Sequence, residues 1–148
     1  MPITISGFFI LPNDKNPPSS PKLPAIKADI GGLDNTSGQP SDKPFATGVT
    51  VLIDTGTNVS VVDEQILQDA SVKQVGELNS VKTGDRSTSK IYGVYFNLGY
   101  GIKYSANVSG ATLLKSNRSY SAILGMDFIR NFSLTIDFEA NIVNLNRR

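Results

Sequence analysis

The sequence predicts a mostly β, single-domain protein with one or two short helices. Three observations lead there. The chain has 148 residues, about the length of one ordinary domain. Its apolar residues fall in short, β-branched runs with strand-like alternation. Those runs are separated by clusters of Gly, Pro, Asn and Ser, which break chains into turns.

Taken in order, Ile3–Leu11 is the first β-prone run. Pro12, Pro17, Pro18, Pro21 and Pro24, with serines between them, exclude a helix and mark an extended arm. Ala25–Ile30 alternates as a strand and stops at Gly31-Gly32. Leu33–Pro44 reads as a long polar hairpin connection, and Phe45–Ile53 returns as a strand whose continuous Val-Thr-Val-Leu-Ile end implies burial on both faces. Val59–Val62 is another buried strand. Asp63–Ala70 fits a short helix with Asp63 as N-cap and Ile66 and Leu67 facing inward.

Val81–Tyr95 forms two strands around the polar tip Lys82–Ser87, a projecting hairpin. Tyr95–Tyr104 and Ser105–Leu114 alternate as further strands, with Gly99-Tyr100-Gly101 reading as a turn. Ala122–Leu124 is a short apolar strand ended by Gly125, and Asp127–Asn131 fits one or two helical turns capped by Asp127. Leu134–Phe138 and Ile142–Leu145 close the chain as a hairpin. Tyr92, Tyr95, Phe96, Tyr100 and Tyr104 fit core and cross-strand pairs better than an aromatic binding strip.

Composition removes much chemistry. There is no His, Cys or Trp, so His-based nucleophilic triads, thiolate catalysis, disulfides and zinc fingers are excluded. Acid–base chemistry near neutrality is left to carboxylates, Lys or Tyr. Fourteen Lys and Arg against 13 Asp and Glu give a net charge of +1, without the basic excess that nucleic-acid binders carry. Asp14, Asp29 and Asp34 have no metal-ligand spacing, so neither metal nor cofactor is expected. No apolar run approaches the roughly 20 residues that span a bilayer. The N-terminus lacks a basic n-region and reads as a strand rather than a signal peptide. With no cysteine to record redox history, an intracellular location is the default expectation. Five Asn-x-Ser/Thr sequons, at Asn35, Asn58, Asn107, Asn117 and Asn131, arise from an Asn- and Ser-rich composition. Asn58 lies within an apolar segment where a glycan does not fit.

The informative stretch is Val51-Leu52-Ile53-Asp54-Thr55-Gly56-Thr57. A carboxylate directly after a buried apolar run must be hydrogen-bonded, paired or neutralised. A turn opened by Asp54 is the plain alternative. The apolar segments on both sides argue instead that the carboxylate has a use. Gly56 permits close backbone approach, and Thr55 and Thr57 bring hydroxyls.

In these residues the chain resembles the retroviral-type, or retropepsin-like, aspartic proteases. Three elements match in order: Leu52–Thr57 with Val61-Val62 behind it, a Gly-containing hairpin around Val81–Gly93 placed like the flap, and Ala122-Ile123-Leu124-Gly125-Met126-Asp127-Phe128-Ile129. The closing Leu134–Phe138 to Val143 segment is similar to the end of retrotransposon and cellular members. The resemblance covers about residues 45–146, which suggests a protease domain over 45–148. Residues 1–44, two strands and the Pro-rich arm, are then part of that domain or an extension of it. Thr57 stands where viral enzymes often have Ala, and is placed to bond the outer oxygen of Asp54. Met126 stands where they often carry a dimer-bracing Arg, so a dimer here must be held differently.

The resemblance implies a single-lobe acid-protease barrel, active as a two-fold homodimer. In it Asp54 of each copy is the catalytic pair, and Thr55, Gly56 and Thr57 support the loop. Ile123, Leu124 and Gly125 form the conserved-type structural motif. Such chemistry needs two carboxylates sharing a proton. The chain has no second Asp-Thr-Gly or Asp-Ser-Gly, and Asp127 reads as a helix cap and Asp137 as a strand-exit charge. A two-lobed enzyme in one chain is thereby excluded. The substrate would be an extended polypeptide beneath flaps tipped by Thr83, Gly84 and Asp85. Tyr92 is a candidate side chain over the cleft, against its reading as a structural aromatic. The rival function is a non-catalytic dimerisation or peptide-binding module on the same fold.

Overall fold

The computed structural model describes residues 3–34, 36–82 and 85–148, with side chains described outside 80–87. The described residues form eleven strands, two short α-helices and a 3-10 turn at Leu114–Ser116. The strands are β1 (Thr4–Ser6), β2 (Phe8–Ile10), β3 (Leu23–Gly32), β4 (Ala46–Ile53), β5 (Val61–Asp63), β6 (Gln74–Lys82), β7 (Asp85–Asn97), β8 (Lys103–Ala111), β9 (Ala122–Leu124), β10 (Phe132–Asp137) and β11 (Ile142–Arg147). Helix α1 (Glu64–Asp69) follows β5, and α2 (Met126–Ile129) follows β9.

Eight strands run in the order β2-β3-β4-β9-β5-β8-β7-β6, and a further β3–β7 pairing closes the sheet on itself. The closure depends on two long strands that change partner along their length. β3 pairs with β2 over Leu23–Ala25 and with β7 over Asp29–Gly32. β7 pairs with β6 up to Tyr92 and with β3 from Val94 onward. Inside lies the main core, where Ile26, Ile30, Val51, Val94, Phe96, Leu124 and Phe128 are fully buried. The residues of β3 therefore pack in the same core as those of β4 and β9. A smaller sheet, β1-β11-β10, is entirely antiparallel.

The β-prone run Ile3–Leu11 is two strands, one in each sheet. Gly7 makes the switch. Its N–H donates to Val143 O at 2.7 Å, and a Cβ there would collide with the carbonyl oxygen of Ala25. Tyr95–Tyr104 is likewise interrupted. β7 ends at Asn97 and a turn through Gly99, Tyr100 and Gly101 leads into β8, with Leu98 N–H donating to Ile102 O at 2.9 Å. Strand β6 lies earlier than the hairpin arm read from sequence. Its residues are mostly exposed, so no buried face imposes alternation on it.

Helix α1 forms as read. Asp63 Oδ1 accepts from Gln65 N–H at 2.8 Å as the N-cap, and Leu67 is fully buried. The other oxygen of Asp63 accepts from Leu113 and Leu114 N–H, at 3.1 and 2.7 Å, tying α1 to the segment after β8. In the β3–β4 connection Asp34 Oδ1 accepts from Thr36 and Ser37 N–H, at 2.8 and 2.9 Å. Those backbone donors, Ser37 first, hold its carboxyl below the usual value. No helix among the described residues is long and apolar enough to cross a membrane.

Candidate active site

Asp54 sits where β4 leaves the barrel. Its N–H donates to Leu124 O at 3.0 Å, extending the parallel β4–β9 pairing by one bond beyond Ile53↔Leu124. The chain then turns tightly through Thr55 and Gly56, both exposed, while Asp54 is half-buried. Both carboxylate oxygens are held by the turn itself. Gly56 N–H donates to Oδ1 at 2.8 Å, and Thr57 Oγ1 donates to Oδ2 at 2.9 Å. The hydroxyl expected of Thr57 is thus in place. The carboxylate is oriented by these two donors, beside the exposed tip of the turn.

The loop after Asp54 is fastened to the Gly125 segment. Met126 N–H donates to Thr57 O at 2.7 Å, and Asp127 N–H to Asn58 O at 3.1 Å. The approach is so close that a Cβ on Gly125 would stand 2.6 Å from Thr57 O. Gly125→Ala is therefore expected to push the Asp54 loop off its seat and cost about 1–3 kcal/mol, the usual range for overpacking. Thermal unfolding of the purified variant checks it. Ile123 and Leu124 supply the strand that carries this glycine. Leu124 faces the main core, and Ile123 faces the opposite side with Leu52.

Asp127 is not the helix cap expected of it. Gly125 occupies the N-cap position, and Asp127 lies inside the single turn of α2. Its carboxylate reaches back to the fully buried Ser60. Oδ1 accepts from Ser60 Oγ at 2.8 Å and Oδ2 from Ser60 N–H at 3.1 Å, while Ser60 Oγ accepts from Gly125 N–H at 3.0 Å. This Ser60–Asp127 clamp was not anticipated. Its one sequence signal is a serine within the apolar Val59–Val62 run. Phe128 anchors the turn from below, 4.7 Å from the Tyr104 ring edge-on and 4.8 Å from Phe132 in a stack. Asp137 does serve its own strand exit, accepting from Ala140 N–H at 2.9 Å.

Of the flap candidates, Thr83 and Gly84 lie outside the described residues. Asp85 begins β7, paired with Lys82 across the hairpin. Tyr92 is 5% exposed and belongs to the main core, so in this chain it is the structural aromatic rather than a side chain over an open cleft. Among the described residues no group of three or more Asp or Glu is placed to hold a metal ion.

The result is a closed barrel with an Asp-Thr-Gly loop seated against a short strand and its glycine. Comparison with known proteins agrees at the level of fold. The chain is similar to the crystal structure of a retropepsin-like aspartic protease from Rickettsia conorii, with a TM-score of 0.51 and 13% identity. The match covers 99% of this chain and 91% of the other. A retroviral protease-like domain of Ddi1 from Leishmania major matches with a TM-score of 0.40 and 14% identity, over 80% of this chain and 92% of that one. No protein-family model matches the chain, and no curated protein does. The chain has the retropepsin-like fold.

Proposed function

We propose that two copies of this chain form an aspartic endopeptidase, with Asp54 of each copy meeting across a two-fold axis. The observation that carries this reading is the pre-set carboxylate. Asp54 is fixed by Gly56 and Thr57 on a turn whose outer residues, Thr55 and Gly56, are left exposed for a partner. One chain supplies one such carboxylate, because Asp127 is committed to Ser60. A symmetric dimer supplies the second. Two carboxylates brought together there would share one proton. The ionised one draws a proton from water, whose oxygen adds to the scissile carbonyl carbon as the other carboxyl protonates the carbonyl oxygen. Collapse of the tetrahedral intermediate breaks the C–N bond: the amine leaves with a proton from one carboxyl, while a hydroxyl of the intermediate returns its proton to the other carboxylate and becomes the new carbonyl. The Thr55 hydroxyls would join the two loops by bonding backbone across the axis. Substrate would lie extended beneath the β6–β7 hairpins.

A non-catalytic dimerisation or peptide-binding module is the rival, and it has no need of the carboxylate. Cleavage of a peptide library at pH 4–7 by wild type and Asp54→Asn separates the two. Cleavage by wild type alone supports the enzyme. No cleavage, or equal cleavage by both, sinks it.

A further inference from the structure

A cavity of about 770 Å³ lies apart from Asp54 and shares no residue with the Asp54 loop or the Gly125 segment. That volume falls in the roughly 300–1,000 Å³ range of small-ligand sites. One wall is the β3–β4 connection, with Leu33, Asp34 and Phe45. The other is the α1–β6 connection, with Val72 and Lys73. Gly93 of β7 lines the space as well, and a Cβ there would crowd Leu33 Cδ1 at 3.3 Å.

Each wall is held by its own hydrogen bonds. On one side Asp34 N–H donates to Gln39 O at 2.7 Å and Ser41 N–H to Gly32 O at 3.0 Å. On the other, Val72 N–H donates to Leu67 O and Ser71 N–H to Gln68 O, both at 3.0 Å. Among the described residues no hydrogen bond crosses from one wall to the other. Leu33, Phe45 and Val72 are half-buried and apolar, whereas Asp34 and Lys73 are exposed and opposite in charge, one on each wall. Asp34 Oδ1 accepts from both Thr36 and Ser37 N–H, and Oδ2 accepts from none of the described residues. Those backbone donors keep the carboxylate ionised.

We infer that this cavity binds a short apolar peptide with both termini free: its ammonium on Asp34, its carboxylate on Lys73, its side chains on Leu33, Phe45 and Val72. Repeated cleavage by the proposed endopeptidase releases such peptides, which makes the cavity a product site remote from the catalytic pair. That role rests on the protease reading; the binding does not. The test uses the full chain carrying Asp54→Asn, so that cleavage does not intrude, and the tripeptide Leu-Ala-Leu, free, N-acetylated or C-amidated. Calorimetry gives the affinity and backbone NMR the place. The free peptide should shift amides of residues 32–34 and 72–75. Acetylation and amidation should each weaken it by about 10-fold, the scale of a hydrogen bond between charged groups. Asp34→Asn keeps an oxygen for Thr36 and Ser37 N–H. It should lose the same factor for the free peptide and respond no further to acetylation. Lys73→Gln should do likewise for amidation, and Lys90→Gln, outside the cavity, should change nothing. No binding at millimolar peptide, shifts away from both walls, or caps without effect overturns the site. Each of those results leaves the cleavage test of Asp54 untouched, and a wild type that cleaves nothing leaves this one in force.

Discussion

Asp54→Asn is expected to lower peptide cleavage by about 10²–10⁴-fold, the usual contribution of positioned acid–base groups, without unfolding the chain. An asparagine there keeps an oxygen for Gly56 N–H, and Thr57 Oγ1 can turn to accept from the new amide. Stability should therefore stay within about 1 kcal/mol of wild type. The sharper form of the experiment mixes equal amounts of wild type and Asp54→Asn and lets subunits exchange. If each site needs one Asp54 from each copy, only about one quarter of the dimers retain both carboxylates, and activity falls to that fraction. A fall to one half means that each chain works alone. That result would remove the dimeric dyad while leaving any protease activity standing.

Much of the site was legible because it breaks a local rule. A carboxylate that ends a run of buried Val, Leu and Ile is conspicuous in one dimension, and so is a glycine that stops an apolar triplet. The Thr57 hydroxyl lies three residues from Asp54, and its bond was an expectation drawn from the resemblance. What escaped was long-range or weakly patterned. Ser60 and Asp127 are 67 positions apart, and nothing around Asp127 distinguishes a cap from a clamp. Gly7 divides a β-prone run between two sheets, which depends on where Val143 and Ala25 stand. β6 shows no alternation because it is an edge strand with both faces mostly exposed. The arm's prolines disclose an extended path but not the Ser119 side chain that holds it.

The second large effect belongs to the Ser60–Asp127 clamp. Asp127→Ala removes the acceptor for both the hydroxyl and the N–H of a serine with no solvent exposure. Hydrogen bonds to a charged group contribute about 1.5–3 kcal/mol each, and buried donors left unpaired bear their full desolvation cost. A loss of about 3 kcal/mol is expected, and with it a fall in Tm of about 10 °C for a chain of this size. Asp127→Asn keeps one carbonyl acceptor and should cost roughly half as much. The control is Asp137→Ala, whose carboxylate serves only an exposed turn and should lose less than about 1 kcal/mol. Because Ser60 ends the loop that begins at Asp54, amide exchange over residues 55–60 should quicken in Asp127→Ala beyond the rise in the rest of the barrel. Equal Tm values for Asp127→Ala and Asp137→Ala would mean that the clamp carries no load. A lowered Tm with uniform exchange would make it a general brace of the barrel instead of a seat for the Asp54 loop.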